Sequence, residues 1–293
     1  ESDLMQIMEN PEGVLVTGLE LFRLEDTLDC GQCFRFRRDG DGWRGVAGNR
    51  PLFLRETPEG VLFSCTREEF EAFWRGYFDL DRDYAALRDG YRNLSAQGKD
   101  LSSLRECALY APGIRVLRQD AFEALISFII SQNNNVGRIQ GIVARLCRRF
   151  GEPCGADPLE PDGVAYAFPV PEALAGRTED DLALLRAGWR AGYILDAARK
   201  VASGEIDLPA IAALPLPEAR AQLQTIRGVG PKVAECVLLY GMARMEAFPL
   251  DVWMKRAMKQ LFPGCTPADF GDCAGIAQQY IFHYCRRHPS LVR

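Results

Sequence analysis

Lysine and histidine are scarce in this chain of 293 residues: five of its 35 basic residues are lysines, and the only histidines are His283 and His288. No apolar run approaches the roughly 20 residues of a membrane-spanning helix, so we expect no membrane partner. The first ten residues lack the basic stretch and apolar block of a secretory signal. We therefore expect an intracellular protein, in the cytoplasm or nucleoid if the source is prokaryotic.

The ten cysteines are scattered along the chain instead of forming the closely spaced framework of a short disulfide-rich secreted protein. The one tight pair is Cys30-Gly31-Gln32-Cys33. A redox or zinc function would need a thioredoxin-like strand–helix–strand context or a second such pair, and the sequence contains neither. We expect reduced thiols at a turn, with no metal and no other cofactor.

The acidic excess argues weakly against a polyanionic partner, but it lies in the first hundred residues. These carry 20 acidic and 13 basic groups, whereas residues 101–293 carry 20 acidic and 22 basic groups. Residues 138–149 contain four arginines and no acid. Because local fields steer a charged ligand, this segment is compatible with a polyanion, although a solvated helix face would look the same.

Short, partly alternating apolar runs indicate strands in the first hundred residues, at 14–16, 33–37 and 52–55. Turn residues separate them at 39–42 and 58–60. Thr66 and Glu69 have the spacing of a capping box for a helix over 66–78. Close spacing of the strands favours an antiparallel sheet.

Beyond about residue 104 the apolar period becomes helical. Asp120 and Glu123 are placed to cap a helix, residues 131–135 break it, and a second helix follows. The composition of 151–172 indicates a surface loop, and Thr178 with Asp181 predicts a short helix ending at Gly188. Further helices are expected near 191–203, 217–226, 231–242, 253–262 and 272–285.

Residues 223–234 have the pattern of a helix, a tight hairpin and a second helix. Gly228 and Gly230 allow a backbone turn that a side chain would obstruct, and Pro231 suits the first helical position. The second helix then points unpaired amides at the hairpin, which can seat a phosphate and grip a DNA strand without reading its sequence. An ordinary helical hairpin remains the alternative from this pattern alone.

Lys232 directly follows that hairpin, in the first helical turn, where the positive end of the helix dipole disfavours an ammonium ion. Partial burial would act in the same direction and favour the free amine, which attacks electrophilic carbon. Asp251 follows 19 residues later, behind Pro249, in a position to cap the next helix. Its carboxylate could equally face the cation that develops when a glycosidic bond breaks.

GVGPK at 228–232 followed by PLDV at 249–252 resembles the helix-hairpin-helix, Gly/Pro…Asp superfamily of DNA glycosylases. Three further segments resemble its 8-oxoguanine DNA glycosylase/lyase family: CGQCFRF at 30–36, SQNNNVGRI at 131–139 and GIAQQYIF at 275–282. They occur in the family's order, so the resemblance spans nearly the whole chain.

The resemblance implies an α+β fold. An N-terminal antiparallel β-sheet domain, 1–103, would precede a two-lobed all-helical helix-hairpin-helix domain, 104–293. The helical lobe would cover about 119–214, the hairpin and C-terminal helices about 215–293, and DNA would bind between the lobes.

For the chemistry, the resemblance implies that Lys232 attacks C1′ of a flipped-out nucleotide, expels the base and forms a Schiff base, after which elimination nicks the strand. Asp251 would stabilise the cationic sugar. The Gly31 carbonyl would accept the N7 hydrogen that only the oxidised base carries. The implied lesion-binding positions are Gly31, Cys236, Pro249, Gln278 and Phe282, with Gln279 as the alternative to Gln278.

The resemblance also implies positions that hold the rest of the duplex. Asn133, Arg138 and Arg190 match the family's cytosine-reading set, and Trp189 stands where the family usually has a tyrosine wedge. Trp253 departs from the family's histidine, which puts a phosphate contact there in doubt. The hairpin residues implied to hold DNA phosphate are Gly228, Val229 and Gly230.

We predict a monomeric, bifunctional glycosylase/lyase that removes 8-oxoguanine, preferably opposite cytosine, from double-stranded DNA. A related glycosylase for another base is one alternative. The adenine- and pyrimidine-specific branches typically carry a four-cysteine iron–sulfur loop that this C-terminal sequence does not show, and the alkylation-repair branch lacks the lysine. A non-catalytic helix-hairpin-helix DNA-binding module is the other alternative, and it would need neither Lys232 nor Asp251.

Overall fold

The computed structural model describes residues 5–91 and 99–292. Six strands form one antiparallel sheet in the order β1-β2-β6-β5-β4-β3, and two later strands pair as a hairpin. The strands are β1 (Gln6–Asn10), β2 (Gly13–Thr17), β3 (Arg37–Asp39), β4 (Gly42–Ala47), β5 (Arg50–Glu56), β6 (Val61–Phe63), β7 (Pro153–Ala156) and β8 (Val164–Tyr166).

Helices account for most of the remaining regular structure in the described part of the chain. They are α1 (Leu24–Leu28), α2 (Arg67–Glu69), α3 (Arg75–Tyr77), α4 (Tyr84–Gly90), α5 (Ser102–Tyr110), α6 (Ala121–Ser131), α7 (Val136–Phe150), α8 (Pro171–Ala175), α9 (Arg190–Ala202), α10 (Leu208–Ala212), α11 (Leu216–Leu223), α12 (Pro231–Cys236), α13 (Val252–Leu261) and α14 (Ala274–Arg287). Two π-helical turns extend neighbouring helices, Phe70–Trp74 and Val237–Gly241, and 3-10 turns occur at Ala183–Leu185, Pro267–Phe270 and Pro289–Val292.

The predicted α+β fold class is confirmed: an antiparallel N-terminal sheet precedes a helical region. That region is not all-helical as predicted, because it contains the β7–β8 hairpin. The predicted strands at 14–16 and 52–55 are present, as are the five later helices. The strand predicted at 33–37 is wrong, because the chain turns through this segment and β3 begins only at Arg37. Cys33, Phe34 and Phe36 are all buried there, so their apolar character reflects packing and not a strand face.

Two predictions for 151–188 were also wrong. The expected surface loop contains the β7–β8 hairpin, whose turn is held by Asp157 and Glu160 pairing with Arg37 at 3.1 and 2.7 Å. Thr178 and Asp181 exchange the predicted hydrogen bonds, but only the 3-10 turn Ala183–Leu185 follows them. Such long-range ion pairs are invisible to a local reading of composition.

The chain divides into two compact units. The first comprises residues 1–33, 54–118 and 244–293, and the second comprises 34–53 and 119–243. The domains predicted at 1–103 and 104–293 are continuous stretches of sequence, whereas each compact unit combines separate stretches. The predicted domains therefore stay a prediction. Among the described residues, no helix is long and apolar enough to cross a membrane.

In the first unit, aromatic rings fill the space between the sheet and the helix that begins at Arg67. Thr66 caps this helix by accepting a hydrogen bond from the Glu69 amide, as predicted, but the capping box is incomplete because the Glu69 carboxylate accepts from the Trp74 indole instead. The ring of Phe63 lies edge-on to those of Phe70 and Phe78, with centroids 4.9 and 5.7 Å apart. Buried aromatic pairs of this kind stabilise a fold by about 0.5–1.5 kcal/mol each, beyond the stabilisation that comes from burying their surface.

In the second unit, α6 is the central helix, and nine consecutive residues from Phe122 to Ile130 are buried. Asp120 caps it through the Glu123 amide, as predicted. The ring of Phe128 stacks on Tyr240 with 5.3 Å between centroids. The second unit thereby packs α6 beside the segment that follows α12, which brings the end of α6 close to Lys232.

Glu123 is a buried carboxyl group on α6, and its partner in the same unit is Arg35 at 3.5 Å. Burial raises the pKa of Glu123 from 4.5 to about 7, and the Arg35 charge only partly opposes that shift. Burial therefore favours the protonated form of this side chain in the folded protein.

We expect stability to fall as pH rises from about 4.5 to about 7, because the folded state holds a Glu123 proton that the unfolded chain has released. Glu123→Gln should remove a loss on the order of 3 kcal/mol across that window. Urea titration at several pH values measures the free energy of unfolding and checks this prediction. Glu152→Gln, which changes an exposed glutamate, is the control. Parallel pH profiles for Glu123→Gln and the unmutated protein would contradict it.

Candidate active site and nucleic-acid interface

The hairpin between α11 and α12 is built around glycine. Gly228 has φ of +83°, and a Cβ there would lie 2.1 Å from the ring of Tyr193. Its carbonyl accepts a hydrogen bond from the Gln132 side chain at 3.0 Å. Gly230 precedes α12 with no side-chain cap, so the Lys232 and Val233 amides in the first turn of this helix have no side-chain partner. The predicted helix–hairpin–helix is present, and its phosphate-binding role stays a prediction.

Lys232 lies half-buried in the first turn of α12. Its Nζ donates a hydrogen bond to Ser131 Oγ at 3.4 Å and lies 5.2 Å from the centroid of the Phe128 ring. In the second unit, all of whose residues the structure describes, no carboxylate pairs with this amine. Cys236, four residues later, is buried at the end of the same helix. The amine is thus held by a hydroxyl group and an aromatic face and is not neutralised within its unit.

Ser131 was not singled out in the sequence, although it begins the motif at 131–139. Its Oγ donates to the Phe128 carbonyl at 2.8 Å while accepting from Lys232. These contacts hold the lysine amine at the C-terminal end of α6. The only sequence signal for this role was a serine at the end of a helix, three residues after an aromatic residue. That pattern is common in ordinary helices.

The residues predicted to hold the partner strand lie together in the second unit. Arg190 is buried, and its guanidinium donates to the carbonyls of Gln132 and Asn133, the latter at 3.1 Å. Asn133 is exposed in a left-handed conformation, φ +48°. Burial, and then the charge of exposed Arg138, lowers the pKa of Arg190. Trp189 is 52% exposed, and Arg190 lies 4.4 Å over its ring.

The first unit presents Gly31 on a turn that two amide side chains hold. Buried Gln32 donates to the carbonyls of Thr27 and Arg115 at 2.8 and 2.7 Å. Gln279 on α14 donates to the Cys30 carbonyl at 2.9 Å. Gly31 itself has φ of +85°. The backbone around Gly31 is therefore held by two side chains, Gln32 from the turn itself and Gln279 from α14.

Cys30 and Cys33 act as hydrogen-bond donors within this turn. The Cys30 thiol donates to Thr27 at 3.2 Å and the Cys33 thiol to Leu28 at 3.8 Å. Burial raises the pKa of Cys30 to about 12, so the thiol stays protonated at neutral pH. These contacts are those of reduced thiols at a turn.

Gln278 and Phe282 follow one face of α14. The Gln278 Nε2 donates to the Pro249 carbonyl at 3.2 Å, and its buried Oε1 has no hydrogen-bond partner among the described residues. A Cβ added at Gly31 would lie 3.4 Å from the Phe282 ring, so this ring borders the Gly31 turn. Gln279, by contrast, is fully buried and engaged with Cys30. The free acceptor of Gln278 favours it over Gln279 as the residue that meets a ligand.

Asp251 caps α13, as its position behind Pro249 predicts. Its Oδ1 accepts a hydrogen bond from the Met254 amide at 2.8 Å, which leaves Oδ2 outside this bond. Burial, and then the Asp251 charge, raises the pKa of Cys285 to about 11. The cap fixes the carboxylate without consuming both of its oxygens, so a structural and a chemical use are compatible.

Gly228→Ala should destabilise the protein by more than Gly204→Ala. Both residues have left-handed φ, +83° and +77°, but a Cβ at Gly204 meets nothing within 4 Å, whereas one at Gly228 overlaps Tyr193. We expect a loss of about 1 kcal/mol for Gly204→Ala and about 1–3 kcal/mol more for Gly228→Ala, from urea unfolding. Equal losses would show that Tyr193 does not constrain the hairpin.

Comparison with known sequences gives two family matches that together cover most of the chain. A family model described as 8-oxoguanine DNA glycosylase, N-terminal domain, matches residues 14–125. A second, described as HhH-GPD superfamily base excision DNA repair protein, matches residues 126–267.

Similar proteins and structures agree with these matches. The chain is 33% identical to a probable N-glycosylase/DNA lyase of Methanothermobacter thermautotrophicus, over 85% of this chain and 82% of that protein. It is 29% identical to N-glycosylase/DNA lyase OGG1 of Arabidopsis thaliana, over 87% and 75%. A structure of Clostridium acetobutylicum 8-oxoguanine glycosylase/lyase, with dsDNA containing cytosine opposite to 8-oxoG, superposes with TM-score 0.87 at 34% identity and covers 98% and 99%.

Proposed function

Because the chain belongs to the 8-oxoguanine DNA glycosylase/lyase family of the HhH-GPD superfamily, we propose that it removes 8-oxoguanine from duplex DNA and then nicks the strand. The observation that carries this proposal is Lys232: a scarce lysine, in the first turn of α12, whose amine contacts Ser131 and Phe128 and no carboxylate in its unit. A non-catalytic DNA-binding module has no use for such an amine. The enzyme acts as a monomer, in the intracellular compartment that holds the DNA.

Lys232 is the nucleophile. Its free amine attacks C1′ of the flipped nucleotide, the glycosidic bond breaks, and the base leaves with the bonding electrons and takes up a proton. Loss of the amine proton and opening of the sugar ring give a Schiff base. Removal of a C2′ proton then breaks the C3′–O bond and releases the 3′ phosphate. Ser131 orients the amine, and Asp251 stabilises the cationic sugar through the carboxylate that its cap holds in place.

The lesion is recognised by the residues around the Gly31 turn and by Cys236. The Gly31 carbonyl accepts the N7 hydrogen of the oxidised base, and an undamaged guanine would place a lone pair there instead, which is costly. Gln278 meets the Watson–Crick edge, because its unpartnered Oε1 can accept from the base while Pro249 holds its Nε2. Phe282 and Cys236 cover the two faces of the ring. Hydrogen bonds from the side-chain amides of Gln32 and Gln279 hold the backbone of the Gly31 turn, which supports this assignment.

The orphaned cytosine is read from the second unit. Arg138 is exposed and free to reach acceptors on the cytosine edge, and Asn133 presents an amide from a left-handed turn. Arg190 stabilises that turn by donating hydrogen bonds to two of its carbonyls, and its charge adds to the positive potential around Arg138. Trp189, which is half exposed, fills the space that the flipped base leaves.

Gly228, Val229 and Gly230 hold one DNA strand through phosphate. The support for this is the start of α12 without a side-chain cap, and the hydrogen bond by which the Gln132 side chain holds the Gly228 carbonyl. Main-chain amides and a helix dipole carry no base preference, so this contact positions the strand without selecting a sequence.

The lysine mechanism predicts a covalent intermediate. Incubation with an 8-oxoguanine:cytosine duplex and borohydride should trap the unmutated protein on DNA, because borohydride reduces the Schiff base. Lys232→Gln should give no adduct and lower base release by several orders of magnitude, while Lys200→Gln, which removes a lysine paired with Asp196, should trap normally. Denaturing gel electrophoresis measures the adduct. Absence of an adduct with the unmutated protein would exclude the lyase mechanism.

The cytosine assignment predicts a loss of selectivity. Arg138→Ala should reduce the preference for cytosine over the other partner bases by a factor that corresponds to roughly 1–3 kcal/mol, the value of one good base contact. Arg149→Ala, which removes an exposed arginine from the far end of α7, is the matched control. Single-turnover excision rates opposite each of the four bases report the preference. Equal rates opposite all four bases in the unmutated enzyme would refute the assignment.

A further inference from the structure

The exposed guanidinium of Arg286 borders the Gly31 turn. A Cβ added at Gly31 would lie 3.4 Å from Arg286 Nη1 and 3.4 Å from Phe282 Cε1. The Arg286 guanidinium carbon lies 5.5 Å from the centroid of the Phe282 ring. All three residues belong to the first unit. One cation therefore lies beside the Gly31 turn and the Phe282 ring, both of which we assign to lesion binding.

The spacing along α14 places this cation in register with the assigned residues. Gln278, Phe282 and Arg286 follow one another at intervals of four, which puts their side chains on one helix face. The neighbouring Arg287 is different: it forms an ion pair with Asp29 at 2.8 Å. Among the described residues, Arg286 makes no ion pair or hydrogen bond. Its charged donors are therefore available to a ligand.

A cation in the last turn of a helix also complements the helix dipole, and this accounts for a basic residue near the end of α14. The dipole does not explain why the Arg286 side chain lies toward the Gly31 turn. Arg287 satisfies the same end of the helix while pairing with Asp29, whereas Arg286 lies against Phe282 and the Gly31 turn.

We propose that Arg286 is a specificity-determining residue that donates a hydrogen bond to the Hoogsteen edge of the flipped base. Oxidised guanine presents an acceptor, a donor and an acceptor along that edge: O6, N7–H and O8. The Gly31 carbonyl pairs with the central donor, and a guanidinium beside it complements a flanking carbonyl oxygen. A charged donor strengthens such a bond. The inference rests on the proposed function, because it takes the Gly31 turn as the lesion site.

The test separates a base contact from a phosphate contact. All variants carry Lys232→Gln, so that binding is measured without turnover. Each is titrated with two duplexes that differ only in the flipped nucleotide: 8-oxoguanine opposite cytosine, and a tetrahydrofuran abasic analogue opposite cytosine. Arg286→Leu should weaken binding to the 8-oxoguanine duplex about tenfold, as expected for one charge-assisted hydrogen bond, and leave the abasic duplex unchanged. Arg287→Leu, which loses the same charge one residue away, should affect neither preferentially.

Equal weakening on both duplexes would overturn the proposal, because it would assign Arg286 to the DNA backbone. An unchanged affinity for the 8-oxoguanine duplex would also overturn it. A thermal melt of each variant confirms that the proteins compared are folded. Failure of the proposed function is seen separately: the Lys232→Gln parent would then bind the 8-oxoguanine duplex no more tightly than an undamaged one, and the Arg286 inference would fall with it.

Discussion

The hydrogen bond from the Gln132 side chain to the Gly228 carbonyl joins the two segments on which the proposed chemistry of the second unit depends. One segment is the glycine hairpin that begins α12, and the other is the turn at 131–135 that ends α6. Ser131 of that turn receives the Lys232 amine, and its carbonyls at Gln132 and Asn133 receive the Arg190 guanidinium. A single turn thus contacts the proposed nucleophile, the hairpin proposed to bind phosphate and the residues assigned to the partner strand.

The first unit uses the same device. Gln32 and Gln279 hold the backbone around Gly31, and Pro249 holds the amide of Gln278. Buried amides suit this purpose because each can donate and accept, and because leaving one unpaired in the interior is costly. Gln278 keeps one unpartnered oxygen, Oε1, and under the proposed function the lesion base completes its pairing.

Residues with a structural role also carry a proposed chemical one. Asp251 caps α13 with one oxygen, and Arg190 is a buried support for the Asn133 turn while lying against Trp189. A sequence pattern cannot separate such uses, since an aspartate at this position can serve both as a cap and as a charge partner. The interpretation of Asp251 as a cap is confirmed, and its chemical role is part of the proposed mechanism.

The sequence by itself determined the helical hairpin, the lysine that follows it, most helix positions and the family to which the chain belongs. These properties are local: glycine conformation, capping side chains and apolar period act over a few residues. Only the tertiary structure decided that Ser131 holds Lys232, that Gln278 and not Gln279 keeps a free acceptor, that 151–172 contains a hairpin, and that Arg286 borders Gly31. Each of these depends on side chains brought together from distant parts of the chain, and no local pattern records which partner a buried polar group will find.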